Sequence, residues 1–131
     1  MNCPPPLLPE TPAIAPGLIA MASNSAAGYA ASDLSRGDVD ALQGPVVLDF
    51  GTSWCGVCRR TAPLVDDALA RHPDVRHLRI EDGPGRRLGR SFRVKLWPTL
   101  VFLRDGGEVD RLVRPHDSEA IDRALARIDP R

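Results

Sequence analysis

Between Val46 and Pro63 the chain reads V-V-L-D-F-G-T-S-W-C-G-V-C-R-R-T-A-P, an apolar run that feeds two cysteines separated by two residues. Val46, Val47, Leu48 and Phe50 are β-branched or bulky, with Gly44-Pro45 before them and Gly51-Thr52-Ser53 after, the pattern of a short strand buried on both faces. Asp49 lies inside that strand, where a carboxylate is costly to bury unless it is neutral or partnered. Beyond the strand, Cys58, Ala62, Val65 and Leu69 recur at the spacing of one helical face. A strand therefore hands over to a helix at Cys55.

Chemistry belongs at such a junction. The thiolate is the nucleophilic form of cysteine, and the unpaired N–H groups and positive end of a helix N-terminus stabilise it. Cys58, about one turn deeper, can reach Cys55 to close a disulfide and is expected to be the less exposed of the two. Two other uses of the pair are structural thiols and half of a metal site. A pair of ligands does not close a zinc site, and Cys3, His72, His77 and His116 show no partner spacing, so no metal is expected.

The stretch resembles the thioredoxin family. Trp54-Cys55-Gly56-Val57-Cys58 is similar to the family's W-C-G-P-C active site, with Val57 in place of proline. Asp49 stands where family members carry a buried aspartate that exchanges a proton with the second cysteine. Burial favours its neutral form, which suits a group that takes a proton from Cys58 and returns it. Pro63 matches the proline that kinks the active-site helix, and Trp97-Pro98-Thr99 resembles the loop whose cis-proline faces the cysteines. The resemblance covers about residues 29–128. It implies a thiol-disulfide oxidoreductase that reduces protein disulfides, with no cofactor beyond the Cys55–Cys58 pair and with a thioredoxin reductase to recharge it. Cys55, Cys58 and Asp49 would be catalytic, and Trp54, Gly56, Val57, Trp97 and Pro98 would form the substrate-binding surface. Trp97 is larger than the family's usual residue, which leaves core packing and a groove aromatic as its two readings. Gly51 replaces a common aromatic, and Arg114-Pro115 falls where a groove glycine is usual. Trp97, Gly51 and Arg114 together imply an altered groove, and Val57 leaves the redox potential open; the alternatives are an oxidant or isomerase, and a binding module with incidental redox activity.

Composition fits one domain of this kind. The chain has 131 residues, with 17 basic and 17 acidic side chains, so net charge points to neither nucleic acid nor an anionic membrane. Three cysteines, with Cys3 left over from the motif, do not make a disulfide framework. The first 28 residues are rich in proline and alanine, hold Glu10 as their one charged side chain, and read as a disordered tail before a domain over 29–131. Residues 13–22 are too short an apolar run to span a bilayer, and no basic residue precedes Arg36, so the expected address is cytoplasmic. The expected state is a monomer. Met21 offers an alternative start that would leave residues 1–20 untranslated.

The remaining punctuation gives the architecture. The spacing predicts a weak first strand at 28–31, a short helix carrying Val39 and Leu42 capped by Asp33 or Ser35, the strand at 46–50, and a helix over 56–71 bent at Pro63. There follow a strand at 75–80, with Leu78 and Ile80 inward and Arg79 between them, and a short helix at 86–92. Strands at 99–103 and 108–113 are joined through Asp105-Gly106-Gly107, and a last helix, capped by Asp117 or Ser118, carries Ile121, Ala124, Leu125 and Ile128. The result is an α/β thioredoxin fold, a mixed central sheet of four to five strands with helices on both faces. Arg86, Arg87, Arg90, Arg93 and Lys95 surround the short helix as a solvated face or as a surface for acidic partners.

Overall fold

The computed structural model describes residues 28–29 and 34–130. The apolar run becomes β1, Pro45–Gly51, and it is buried on both faces because strands flank it on either side and helices cover it above and below. Among the described residues the sheet has four strands in the order β2-β1-β3-β4, with β2 spanning Arg76–Glu81, β3 Thr99–Arg104 and β4 Gly107–Val113. β1 runs parallel to β2 and antiparallel to β3, and β3 and β4 form an antiparallel hairpin.

Alternation along β1 divides the core. Val46, Leu48 and Phe50 join Leu78, Ile80, Val101 and Leu103 on one face, under α1 (Arg36–Asp40) and α3 (Arg87–Ser91), which contribute Val39, Leu88 and, just past its end, Phe92. Val47, Leu100 and Phe102 pack on the other face against α2 (Gly56–Leu69) and α4 (Ser118–Ile128), through Val65, Ala68, Ile121, Leu125 and Ile128. Asp49 and Gly51 share the parity of Val47. They therefore lie beneath α2.

Local chemistry fixes the element ends. Ser35 caps α1 in a reciprocal box with Asp38, and Asp117 accepts the Ala120 N–H at 2.8 Å to cap α4. The β3–β4 turn places Asp105 and Gly106 at φ 50° and 83°, the doubly left-handed turn that matches the twist of a two-residue hairpin. A Cβ at Gly106 would stand 2.0 Å from the Asp40 carbonyl oxygen, so the turn packs directly on the end of α1.

Two expectations are corrected. The buried stripe of α2 is Cys58, Thr61, Val65 and Ala68, with Ala62 and Leu69 only half-buried at its margin. The helix sits rotated toward the polar residues of the sheet beneath it. Arg79 does not face solvent between Leu78 and Ile80: it and His77 occupy the opposite face of β2 and are buried there too, because α2 covers them. Cys3, Met21, Asp33, residues 30–31 of the weak first strand and all of the tail before Gly28 lie outside the described residues. Among the described residues no helix is long and apolar enough to cross a membrane.

Candidate active site

β1 ends at Gly51, and the chain turns through Thr52-Ser53-Trp54 to deliver Cys55 as the N-cap of α2. Its backbone is extended, at φ −79° and ψ 118°, and its Sγ accepts the Cys58 N–H at 3.2 Å. One of the helix's unpaired donors is thereby aimed at the sulfur, a contact that favours negative charge there. Both cysteines are free thiols, Cys55 8 % exposed and Cys58 1 %. Burial pushes the Cys58 thiol up to about 12, and a hydrogen bond and charge from Cys55 push the same way. Hydrogen bonds from the Thr52 backbone and the Tyr29 side chain oppose them.

Beneath Cys58 lies a buried polar cluster. Asp49, 1 % exposed, accepts the Tyr29 hydroxyl on Oδ1 at 2.6 Å and holds His77 Nε2 at 2.9 Å from Oδ2. The Arg79 Nε lies 3.5 Å from the same Oδ2, and its guanidinium continues to Asp66 on α2 at 3.3 Å. Parallel register explains the gathering, since Asp49 sits opposite Arg79 and Val47 opposite His77. The strand can hold its carboxylate because partners on three sides replace lost water. Burial, followed by the charge of Asp49, drives the Tyr29 hydroxyl well above the usual phenol range, so it stays protonated and donates. Gly51 makes room for all this: a Cβ there would stand 2.6 Å from Cys58 Sγ and 2.8 Å from Tyr29 Cζ.

At the surface, Trp54 is 70 % exposed and meets half-buried Trp97 edge-on, ring centroids 5.5 Å apart at 81°. Trp97 Nε1 donates to Asp82 Oδ2 at 2.8 Å. The Trp97–Pro98 peptide is cis. Arg114 braces that loop, its N–H donating to the Pro98 carbonyl at 3.0 Å and its Nε to the Trp97 carbonyl at 2.8 Å. Val57, Arg60, Leu64, Arg114 and His116 line a groove that Arg114 connects to that loop. Gly56 is exposed between the two cysteines. Of the basic set, Arg86, Arg90 and Lys95 border a hollow beside Trp97, and Arg86 pairs with Glu81 at 3.0 Å.

Cys55, Cys58 and Asp49 are thus brought together, and Trp54 pairs with Trp97. Sequence reasoning missed Tyr29, His77 and Arg79 as neighbours of Asp49. His77 and Arg79 carried a signal, since with Val75 they form a second period-two set on a strand expected to be buried. Tyr29 carried none, because Gly-Tyr-Ala-Ala has no pattern to read.

Comparison with known proteins agrees with this geometry. The thioredoxin family model matches residues 33–127. The chain is 41 % identical over 68 residues to a tobacco (Nicotiana tabacum) protein named thioredoxin H-type 1, covering 52 % of this chain and 54 % of that one, and so spans about half of that relative's length. It is 32 % identical over 94 residues to the Mycobacterium tuberculosis thioredoxin, 71 % of this chain and 81 % of the relative. Among solved structures, reduced thioredoxin 2 of Pseudomonas aeruginosa PAO1 superposes with a TM-score of 0.71 at 50 % identity, covering 77 % of this chain and 94 % of that one.

Proposed function

This chain belongs to the thioredoxin family, and from that premise we propose that it is a thiol-disulfide oxidoreductase that reduces protein disulfides through Cys55 and Cys58. The observation that carries the reading is Cys55 Sγ held at a helix N-terminus by the N–H of Cys58, directly above the buried thiol of Cys58. Cys55 as thiolate attacks one sulfur of the substrate disulfide; a mixed disulfide forms and the other substrate sulfur leaves as a thiolate. That step removes the Cys55 charge and hydrogen bond that help keep Cys58 protonated. Cys58 then gives its proton to the Asp49 side of the cluster and attacks Cys55 Sγ, so the mixed disulfide breaks, the second substrate thiolate departs, and Cys55–Cys58 closes as a disulfide. Two electrons pass to the substrate.

Trp54, Gly56, Val57, Trp97 and Pro98 form the docking surface in this reading, with the backbone beside Pro98 pairing with an extended substrate segment. The protein works as a monomer without a further cofactor, in electron transport from a thioredoxin reductase, and in the cytoplasm, a compartment that keeps dithiols reduced.

Dithiothreitol-driven reduction of a disulfide-bonded protein tests the reading. Wild type should catalyse it, Cys55→Ser should lose at least about a thousandfold in rate, and pre-reduced Cys58→Ser mixed with the substrate after removal of dithiothreitol should accumulate a covalent mixed disulfide. Equal residual turnover in the two variants would contradict the assigned roles.

A further inference from the structure

The mechanism above requires the Cys58 proton to reach Asp49, and the space between them is not empty. Tyr29 and Cys58 meet around the position that a Gly51 Cβ would fill, with Tyr29 Cζ 2.8 Å and Cys58 Sγ 2.6 Å from that point. Its hydroxyl is already committed to Asp49 Oδ1 at 2.6 Å. A hydroxyl both donates and accepts, so one oxygen can receive a proton from sulfur while passing its own to the carboxylate. We propose that Tyr29 is the proton carrier between Cys58 and Asp49, and that Gly51 is the residue that admits it. The inference rests on the proposed roles of Cys55 and Cys58 and adds a positioning and relay residue to them.

The step balances. In the mixed disulfide the Cys58 S–H proton moves to the Tyr29 oxygen as the Tyr29 proton moves to Asp49 Oδ1, leaving a Cys58 thiolate, an intact phenol and a protonated carboxyl. The thiolate forms the bond to Cys55 Sγ, the substrate sulfur leaves with the electron pair, and the relay runs backward when Cys58 is reduced again. Among the described residues, the charged and titratable groups around Tyr29 and Asp49 are His77 and Arg79 from β2, Cys58 from α2, and Asp66 of α2 through its pair with Arg79. Arg79 also sits 5.9 Å from the centre of the Tyr29 ring, where its cation favours the ring's negative face. The hydrogen bond to Asp49 holds the ring's oxygen toward the carboxyl.

The test uses the full chain, reduced, mixed rapidly with excess of a small aromatic disulfide that releases a coloured thiolate. The first release reports attack by Cys55 and the second reports resolution by Cys58. Tyr29→Phe keeps the ring and removes the relay oxygen. It should leave the first release at the wild-type rate and slow the second at least about tenfold at neutral pH, the low side of what a positioned proton-transfer group contributes. The deficit should close as pH rises and hydroxide takes the place of the relay. Asp49→Asn should show the same pH shape, and the double variant should be no slower than the slower single one. Tyr29→Phe resolving at the wild-type rate, or slowed by one constant factor at every pH as a packing defect would do, overturns the proposal. Should Tyr29→Phe fail to fold, Gly51→Ala displaces the ring while keeping the hydroxyl, and because its Cβ also meets Cys58 Sγ the pH shape decides: a slowing that closes as pH rises supports the relay, and wild-type kinetics or one constant factor at every pH overturn it. Because the reagent is small, the assay judges Tyr29 separately from protein-disulfide reduction, whose failure would overturn only the proposed function.

Discussion

Burial costs a thiol little until the thiol has to ionise. Cys58 shows the consequence, its burial moving it from an ordinary 9.0 to about 12. Between those values the folded protein holds a proton that the unfolded chain has lost, so this group's contribution to stability is complete below about pH 9 and disappears as pH rises toward about 12. Denaturant titrations of the reduced protein should therefore show stability falling through that window, and Cys58→Ser should fall less steeply. A variant that tracked wild type through the window would contradict the assignment. At this scale the sequence was legible where a motif fixed the spacing: Cys55, Cys58, Asp49 and the Trp97-Pro98 pair could all be named from it. His77 and Arg79 were not, because polar residues on a strand read as solvent-facing until the helix that covers them is placed. Tyr29 reaches Asp49 across 20 positions, a contact set by tertiary packing alone.

Among the elements, the strand–turn–helix unit of β1 and α2 holds the reacting sulfurs, whereas the β3–β4 hairpin holds the opposite end of the sheet. There Pro45 pairs with Arg104, the Gly44 N–H donates to Asp105 Oδ1 at 2.8 Å, and Gly106 packs on Asp40. Gly106→Ala would place a side chain in a left-handed conformation and 2.0 Å from the Asp40 oxygen. The expected cost is about 1–3 kcal/mol from the backbone alone, read as a lower urea midpoint, with thiol chemistry unaffected because the cysteines follow the other end of β1. An unchanged midpoint would show that the turn does not bear on α1. Element type and order were readable from apolar period and turn residues, since Gly and Pro mark the boundaries. The rotation of α2 was not, because the half-apolar stripe through Ala62 and Leu69 gave way to one that lays Cys58 and Thr61 over the polar residues of β1 and β2.

For the molecule as a whole, the two helices on the active-site face must stay registered to keep Cys58 over Asp49. Polar clamps join them where Asp122 of α4 meets His72 Nε2 at 2.8 Å and Arg71 at 3.2 Å, just beyond the end of α2, and where His72 Nδ1 lies 2.6 Å from Asp129. The hydrogen bond from His72 holds the Asp122 carboxyl below its ordinary 3.8, with Arg71 adding to it. A lowered carboxyl stabilises the fold above that ordinary value and loses its contribution as pH falls. Asp122→Asn should be less stable than wild type at neutral pH, and the gap should close in acid below about pH 4; a gap independent of pH would remove the clamp from this account. The central claim, that the dithiol is a reductant, is tested most directly by its reduction potential, found by equilibrating Cys55 and Cys58 with glutathione and dithiothreitol buffers. The account predicts a value close to the about −270 mV known for thioredoxin, and a value near the about −120 mV of a strong disulfide oxidant would contradict it.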